Sequence, residues 1–275
     1  MNSTALPNTN PMLFNESLFA LAIVAFMILL VFEKRRPFLH FDSKNYKESI
    51  VTNTSAFLIN NVILTSLRAS SLFLVAEQFS SLGLLSGMSD GVLKSLLTFA
   101  LFDLAIYAWH VASHKYEPLW RFHKIHHSDK SFNVSTGFRF HVFDLFLEII
   151  YKCLFVIVIG VNAYLVLTIE IVELFFIFFH HANLKIPNEE KISHFIITPS
   201  LHRTHHSKLR KEHDSNYGIV LAFWDKLFST RKELVTNAVG LELIEAENFI
   251  QLFSLAFITE RKIRQILALI PKGRR

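Results

Sequence analysis

The sequence predicts an all-α integral membrane protein, and three observations lead to this class. The mean hydropathy of the 275 residues is +0.35, and 51% of them are hydrophobic, including 28 phenylalanines. Several apolar runs are long enough to cross the hydrocarbon layer, which takes about 20 helical residues. Glycine and proline number only 8 and 7, a composition that suits helices. We therefore expect four or five transmembrane helices and a cytoplasmic cap of shorter helices, in one domain of residues 1–275.

Five apolar runs are the candidate transmembrane helices: residues 17–32, 55–79, 92–109, 142–160 and 161–179. The fourth is short for a span and carries charges, so it could be a shallow arm of a hairpin with the fifth. The first could be the core of a secretory signal. However, no Lys or Arg precedes it, and the basic residues 34–36 follow it, which reverses the order of such a signal. We interpret it as a retained span.

One histidine string occurs twice in nearly the same form. Residues 123–128 are HKIHHS, residues 202–207 are HRTHHS, and a shorter motif, HVASH, covers residues 110–114. Residues three or four apart share a face of a helix, so each motif directs several imidazoles toward one point. Imidazole nitrogen suits iron, zinc, copper and nickel. Eight histidines are too many for one four-coordinate zinc, and a histidine-rich surface would not repeat one string. The motifs therefore predict a centre with two metal ions.

The distribution of Lys and Arg orients the spans. Basic residues follow the first run at positions 34–36, 44 and 47, whereas residues 77–91 contain neither Lys nor Arg. Positively charged loops tend to stay in the cytoplasm. Alternating spans then place every histidine motif on the cytoplasmic face of a bacterial inner membrane or of the endoplasmic reticulum.

Composition also argues against several other classes. The net charge of +5 requires no nucleic acid, because the basic residues lie in loops and in residues 260–275, which we expect to lie on anionic lipid headgroups. The single Cys153 excludes an intramolecular disulfide and a cysteine-ligated iron–sulfur cluster. A haem thiolate at Cys153 is less favoured than a packing role. The chain has no GxGxxG, P-loop or HExxH motif.

The order HxxxH, HxxHH and HxxHH across apolar spans resembles the fatty acid hydroxylase/sterol desaturase superfamily of membrane di-iron enzymes. The resemblance covers residues 97–230, which we take as the hydroxylase core. Residues 139–141 are similar to the family's Arg-x-His element, although Val142 replaces the usual proline and Asp144 stands where an acid is expected. Residues 181–183 are similar to its His-x-Asn element, and residues 214–218 and 224–230 to its tail.

The resemblance implies two iron ions, O2 as co-substrate, and hydroxylation of a lipid such as a fatty acyl chain or a sterol. A separate carrier protein must supply the electrons, because no flavin, haem or iron–sulfur motif is visible. The ligands carried over are His110, His114, His123, His126, His127, His141, His181, His202, His205 and His206. Four further histidines are expected to be structural or at the surface: His40, His180, His194 and His213.

Carboxylates that accept ring N–H groups would fix the orientation of such ligands. Asp103 lies seven residues before His110 on the same helix face and is the first candidate for this role, ahead of Asp129, Asp144 and Asp214. The resemblance adds Asn183, Asp214 and Asn216 to Asp103 as candidate catalytic residues.

Two other functions stay open. The same centre could desaturate its substrate or oxidise a methyl or aldehyde group, a difference that depends on where the substrate carbon lies. The chain could also be a non-enzymatic membrane protein that transports or stores metal. A transporter would place ionisable residues through the depth of the membrane, whereas these motifs cluster at one face.

Charges inside the hairpin of residues 142–179 predict a contact. Lys152 lies eight residues before the turn at Gly160, and Glu170 lies about as far after it, so both are at one depth. A lone charge near the middle of a bilayer costs about 2.5–3.5 kcal/mol. We expect a Lys152–Glu170 pair with Glu148 close by. In the alternative, the hairpin is shallow and the lysine reaches water.

Overall fold

The computed structural model describes residues 11–66, 72–241, 246 and 248–258, and these residues form helices joined by loops. The helices are α1 (Pro11–Arg35), α2 (Ser43–Ser66), α3 (Leu72–Phe79), α4 (Val92–Lys115), α5 (Glu117–His127), α6 (Val142–Ile159), α7 (Ala163–His181), α8 (Glu189–Ile192), α9 (Pro199–His205), α10 (Arg210–His213), α11 (Phe223–Leu227) and α12 (Phe249–Leu255), with a 3₁₀ turn at Val134–Phe138. Pairing between extended segments is limited, in these residues, to three isolated bridges. The all-α class is confirmed.

Three of the described helices are long and apolar enough to cross a membrane, which makes the chain an integral membrane protein. They are Asn15–Arg35 within α1, α4 and α7, with 21, 24 and 19 residues. The expected count of four or five is not reached in this part of the chain. α2 begins at Ser43 and buries Thr52, Asn53 and Asn60, and α3 is a separate helix of 8 residues. Arg68, the charged residue inside the second apolar run, and the basic run 260–275 lie outside the described residues.

The long apolar helices form a bundle, which we call the stalk. Its apolar core is formed by α3, α4, α6 and α7. Phe102 and Ile106 of α4 pack with Val156 of α6 and Val166 of α7. α1 joins this bundle through aromatic contacts, with the ring of Phe26 lying 5.0 Å from that of Phe178. Large apolar side chains on the outer face of α1 are exposed, as expected for a surface that contacts lipid.

The α6–α7 hairpin turns at Gly160, which has a φ of 71° and packs directly on Gly83. A Cβ on Gly83 would lie 1.9 Å from the nitrogen of Gly160, so neither backbone leaves room for a side chain. Leu84 and Leu85 donate backbone hydrogen bonds of 2.9 and 2.8 Å to the carbonyls of Val158 and Ile159. These bonds satisfy carbonyls that the end of α6 leaves free.

Inside this hairpin, Lys152 forms the predicted ion pair. Its Nζ lies 2.6 Å from Glu170 Oε1 and 3.1 Å from Glu148 Oε1. Glu173, which the hairpin register places level with Glu148, is a third acid at 3.2 Å. The expected Lys152–Glu170 contact is confirmed.

Buried polar residues join the stalk to the cap at its other end. Glu33, near the end of α1, accepts hydrogen bonds from the backbone nitrogens of Val134 and Asn183 at 2.9 and 3.0 Å, and from the hydroxyl of Tyr46 at 2.7 Å. A buried carboxylate with several donors is costly to disturb. This contact fixes the ends of α1 and α7 relative to the loop that follows α5.

Candidate metal centre

Four helix ends converge in the cap, and each carries histidines. His110 and His114 lie in the last turns of α4, and His181 ends α7. The two HxxHH strings end α5 and α9, two short helices that each have a proline in the first turn, Pro118 and Pro199. Proline favours the start of a helix because its missing N–H is not needed there. Both strings therefore lie at the end of the same kind of short helix, which directs their histidines toward the centre.

Nine buried histidines form two groups, in each of which one ring nitrogen per residue lies within 4.8 Å of the others. The first group is His110, His114, His123, His127 and His205, and the second is His126, His181, His202 and His206. The i and i+4 members of each HxxHH string go to one group and the i+3 member goes to the other. This explains the repeat in the sequence. The first string contributes two histidines to the first group and one to the second, and the second string contributes one to the first group and two to the second.

Distances between ring nitrogens fit metal ligation. The Nε2 atom of His126 lies 3.1 Å from those of His181 and His206, and His202 Nε2 lies 3.0 Å from that of His181. In the first group, His114 Nε2 and His127 Nε2 are 3.1 Å apart. Two nitrogens that are each about 2.1 Å from one ion, at right angles to each other, are about 3.0 Å apart. The residues present therefore fit metal ions in both groups.

In three of the grouped histidines, a backbone carbonyl accepts from the other ring nitrogen and fixes the tautomer. His110, His181 and His205 donate from Nδ1 to the backbone carbonyls of Tyr217, Ile177 and Ser215, at 2.8, 2.7 and 2.7 Å. This leaves a lone pair on Nε2. The Nε2 atoms of His110, His123 and His205 are buried and have no hydrogen-bond partner among the described residues. Unpaired buried nitrogens with a lone pair are what a metal ion would occupy.

Two carboxylates contact the histidines from outside. Asp144 Oδ2 lies 3.0 Å from His123 Nδ1, and Asp214 Oδ1 lies 3.2 Å from His114 Nδ1. Asp144 is buried, whereas the Asp214 side chain is 37% exposed. Both contacts serve the first group. A carboxylate in this position orients the ring and makes it a stronger ligand.

The protonation state of the cap histidines suits ligation. Burial, and next the neighbouring rings, hold the pKa of His126, His127, His202, His205 and His206 well below the ordinary value of 6.5. These imidazoles are therefore neutral at pH 7, and their lone pairs are free for a metal.

Asp103 does not contact a histidine ring, which corrects the first expectation for this residue. Its two oxygens accept hydrogen bonds from the backbone nitrogens of Val220 and Leu221 at 3.1 and 3.2 Å, and from Trp224 Nε1 at 2.8 Å. The carboxylate faces the loop before α11 and holds it against α4. Its role is to position that loop.

The two asparagines also hold backbone in place. The Asn183 side chain pairs with the backbone nitrogen and carbonyl of Leu39, at 2.9 and 2.8 Å. Asn216 has a φ of 52° and donates to the carbonyls of Leu201 and Lys232 at 2.9 and 2.8 Å. Neither is in the two histidine groups. Asp129 likewise accepts from Asn53 at 2.9 Å and contacts no ring by a described hydrogen bond.

His141 lies apart from the two groups. It precedes α6, and its Nδ1 accepts a hydrogen bond of 3.2 Å from the backbone nitrogen of Phe143. The ring stacks on Phe253 at 4.6 Å, and burial lowers its pKa to about 4. The first nitrogens of a helix need an acceptor, and here the imidazole supplies it.

Two histidines expected to be structural lie at the centre. The ring of His180 is 3.9 Å from that of His202, and His213 forms a further group with His114 and Asp214. No local motif marks either residue, because their positions depend on how α7 and α10 pack. His40 and His194 are exposed, as expected.

Comparison with known proteins gives one family. Residues 95–230 match the fatty acid hydroxylase family model. The chain is 32% identical over 136 residues to ornithine lipid hydroxylase OlsE of Rhizobium tropici, which covers 49% of this chain and 40% of the relative. It is 33% identical over 129 residues to human alkylglycerol monooxygenase, covering 46% and 28%. It is 26% identical over 143 residues to human cholesterol 25-hydroxylase, covering 49% and 50%.

The chain thus spans half or less of the length of these relatives. No solved structure matches it. The matched segment runs from the first turn of α4 to the end of the tail after the third histidine motif, and it contains the nine grouped histidines. Residues 95–230 of this chain belong to the fatty acid hydroxylase family.

Proposed function

We propose that this protein is a membrane di-iron oxygenase that uses O2 to hydroxylate a lipid, with electrons from a separate carrier protein. One observation carries the proposal: nine buried histidines divide into two groups within the segment that matches the family. The names of the relatives, which are lipid hydroxylases and a monooxygenase, support the substrate class.

When bound, two iron ions would supply the redox chemistry that O2 activation and C–H cleavage need. The donor set favours a metal that accepts many neutral nitrogens, which suits iron(II) better than Mg²⁺ or Ca²⁺. The first group of histidines would hold one ion and the second group the other. Asp144 and Asp214 would keep the Nδ1 protons of His123 and His114 in place, so that each Nε2 stays available.

The substrate would reach the histidines through the stalk. A cavity of about 60 Å³ lies beside both groups, and its apolar lining includes Ile106, Trp109, Phe140 and Ile177. These side chains would exclude water from the reacting carbon and contact the few atoms of the alkyl chain next to it. We further propose that the cap and its histidines face the cytoplasm, in line with the basic residues that follow α1.

Mass spectrometry of lipids tests the proposal. Membranes that contain the full chain, a reductant and ¹⁸O2 should yield a lipid product with one ¹⁸O atom, and membranes with His126→Ala should not. A product that is two hydrogens lighter and lacks ¹⁸O would favour desaturation. Two bound metal ions with no change in any lipid would contradict the oxygenase and favour a metal-handling protein.

A further inference from the structure

The cavity beside the histidines has a polar side that the oxidation of a plain alkyl chain does not require. Besides rings of both histidine groups, it is lined by Glu148, Lys152 and Glu173, from the middle of the α6–α7 hairpin. The charged cluster of the hairpin and the candidate metal centre therefore border the same small space. About 60 Å³ is room for a few atoms only.

Apart from nitrogens of the nine grouped histidines, two acceptors on this cavity have no donor among the described residues. Glu173 is 3% exposed; its Oε2 lies 3.2 Å from Lys152 Nζ, while its Oε1 is buried without a hydrogen-bond partner in the described structure. His180 is fully buried, and its Nδ1 donates to the carbonyl of Ile219 at 3.3 Å. Its Nε2 is then an acceptor, and it also has no partner there. Buried polar atoms in proteins are almost always paired, so two such atoms that belong to neither histidine group point to a further ligand in this cavity.

Both acceptors lie on one face of α7. Glu173, Ile177 and His180 are spaced i, i+4 and i+7, and all three line the cavity. Lys152 is the basic residue of the cluster, and its Nζ already lies within 3.2 Å of three carboxylates, those of Glu148, Glu170 and Glu173. The polar side of the cavity thus offers acceptors in excess of donors.

We propose, resting on the function proposed above, that Glu173 and His180 bind a hydrogen-bond donor of the substrate, a hydroxyl or an ammonium group. Because the cavity is small, that donor lies within a few bonds of the carbon held beside the histidines. The substrate is then a lipid oxidised next to its polar group. Oxidation in the middle of an acyl chain would leave both acceptors unpaired.

A matched set of probes tests this subsite without turnover. Hexadecan-1-ol and hexadecylamine carry the donor, and 1-methoxyhexadecane has the same chain without it. Binding to the purified full chain is measured under nitrogen from tryptophan fluorescence, since Trp109 lines the cavity. We expect the alcohol or the amine to bind at least about tenfold more tightly than the ether, because the ether would leave the buried acceptors without a donor.

Variants at two glutamates locate the effect. Glu173→Leu should bring the ratio of affinities close to one, and Glu173→Gln should weaken binding of the amine more than of the alcohol. Glu170→Gln is the matched control, because Glu170 contacts the same lysine at 2.6 Å but does not line the cavity. It should keep the wild-type ratio. If the leucine variant does not fold, the affinities of Glu173→Gln for the amine and the alcohol are compared with those of the wild type, because this variant preserves the shape of the side chain.

Equal affinities in the wild type, no binding of any probe, or an equal loss in the Glu170 and Glu173 variants would overturn the subsite. A preference for the donor without oxidation of any lipid would leave the subsite intact and contradict the proposed function. Oxidation of a lipid without a preference for the donor would support the proposed function and contradict the subsite.

Discussion

His126 and His205 hold equivalent positions in the two histidine strings, and each joins the group to which its own string contributes less. His126 lies 3.1 Å from the Nε2 atoms of His181 and His206, which come from two other helices. Each of these two residues is the single histidine that its string contributes to that group, so no other histidine of the same string can replace it as a ligand. These two residues are therefore the most direct test of a two-metal centre.

Replacing His126 or His205 by Ala should remove most of the metal from one group and lower oxygenase activity at least about 100-fold, more than is typical for loss of an outer contact. Elemental analysis of the purified chain checks the metal content, with two ions expected in the wild type. His194→Ala is the control, because that ring is exposed and bonds only to the carbonyl of Glu190 in the described structure. A wild type with one ion or none, or variants that keep full metal content, would refute the centre.

Asp144→Asn should weaken metal binding in the first group about 10–100-fold, because an amide polarises the His123 ring less than a carboxylate. Asp214→Asn should have a smaller effect, since the Asp214 side chain is 37% exposed and competes with water for its contact to His114. Competition with a chelator measures the metal affinity of each variant. Equal effects of the two variants would argue that burial does not set the strength of these contacts.

Nine of the ten candidate ligands that the sequence gives lie in the two histidine groups, and His141 does not, whereas most of the outer partners of these rings could not be predicted. Spacing of three and four along a helix directs imidazoles to one point, and this local rule applies to His110, His123 and His202 alike. Asp103 lies about two helical turns before His110 on the same face, yet its Oδ2 accepts a hydrogen bond from Trp224, 121 residues away. His180 and His213 fail the rule and still reach the centre. Contacts that depend on how distant segments pack together cannot be predicted from the spacing of residues along one helix.

At the scale of elements, the α6–α7 hairpin is held by charges at its middle and by glycine at its turn. The depth argument predicts the Lys152–Glu170 contact because an antiparallel hairpin has one register. It does not predict Gly83, since the close approach to Gly160 joins segments 77 residues apart. The predicted number of spans is not confirmed in the described residues, for a related reason. The run at 55–79 looks continuous in the sequence, but α2 is offset toward the polar residues 43–54.

The charged cluster should stabilise the hairpin as a unit. Lys152→Met leaves three acids without their cation and should lower the free energy of unfolding by about 3–5 kcal/mol. Glu170→Gln should cost less, because that side chain is 34% exposed. The double variant should differ from the sum of the two losses by about 0.5 kcal/mol or more, measured by unfolding in detergent. Strict additivity would mean that the contact does not couple the two helices.

The glycine contact should be sensitive to a single methyl group. Gly160→Ala places a Cβ 2.6 Å from Gly83 atoms at a positive φ, and Gly83→Ala places one 1.9 Å from the Gly160 nitrogen. Each should lower stability by about 1–3 kcal/mol or more. Gly87→Ala is the matched control, because no atom lies within 4 Å of the added Cβ. Thermal unfolding in detergent compares them, and an unchanged midpoint in Gly83→Ala would contradict the packing.

At the scale of the whole molecule, α4 sets the distance between the two ends of the protein. Its 24 residues extend about 36 Å, from the loop of residues 80–91 to the histidines at 110 and 114. That length is sufficient to cross a bilayer. The loop without Lys or Arg and the histidine cap therefore lie at opposite ends of one span, and our proposal that the cap faces the cytoplasm depends on the charge bias of the loops.

Cysteine labelling tests this orientation. In a Cys153→Ala background, cysteines at Ser43 and Lys208 should react with a membrane-impermeant maleimide only from the cytoplasmic side, and a cysteine at Ser89 only from the opposite side. All three positions are exposed, whereas Ser131 and Ser207, next to the histidine strings, are buried and would not react. A cysteine at the exposed Ser81, in the same loop as Ser89, should repeat its result. If Ser89 and Lys208 react from the same side, α4 does not cross the membrane, and the cap cannot receive lipid and face the cytoplasm in the way proposed.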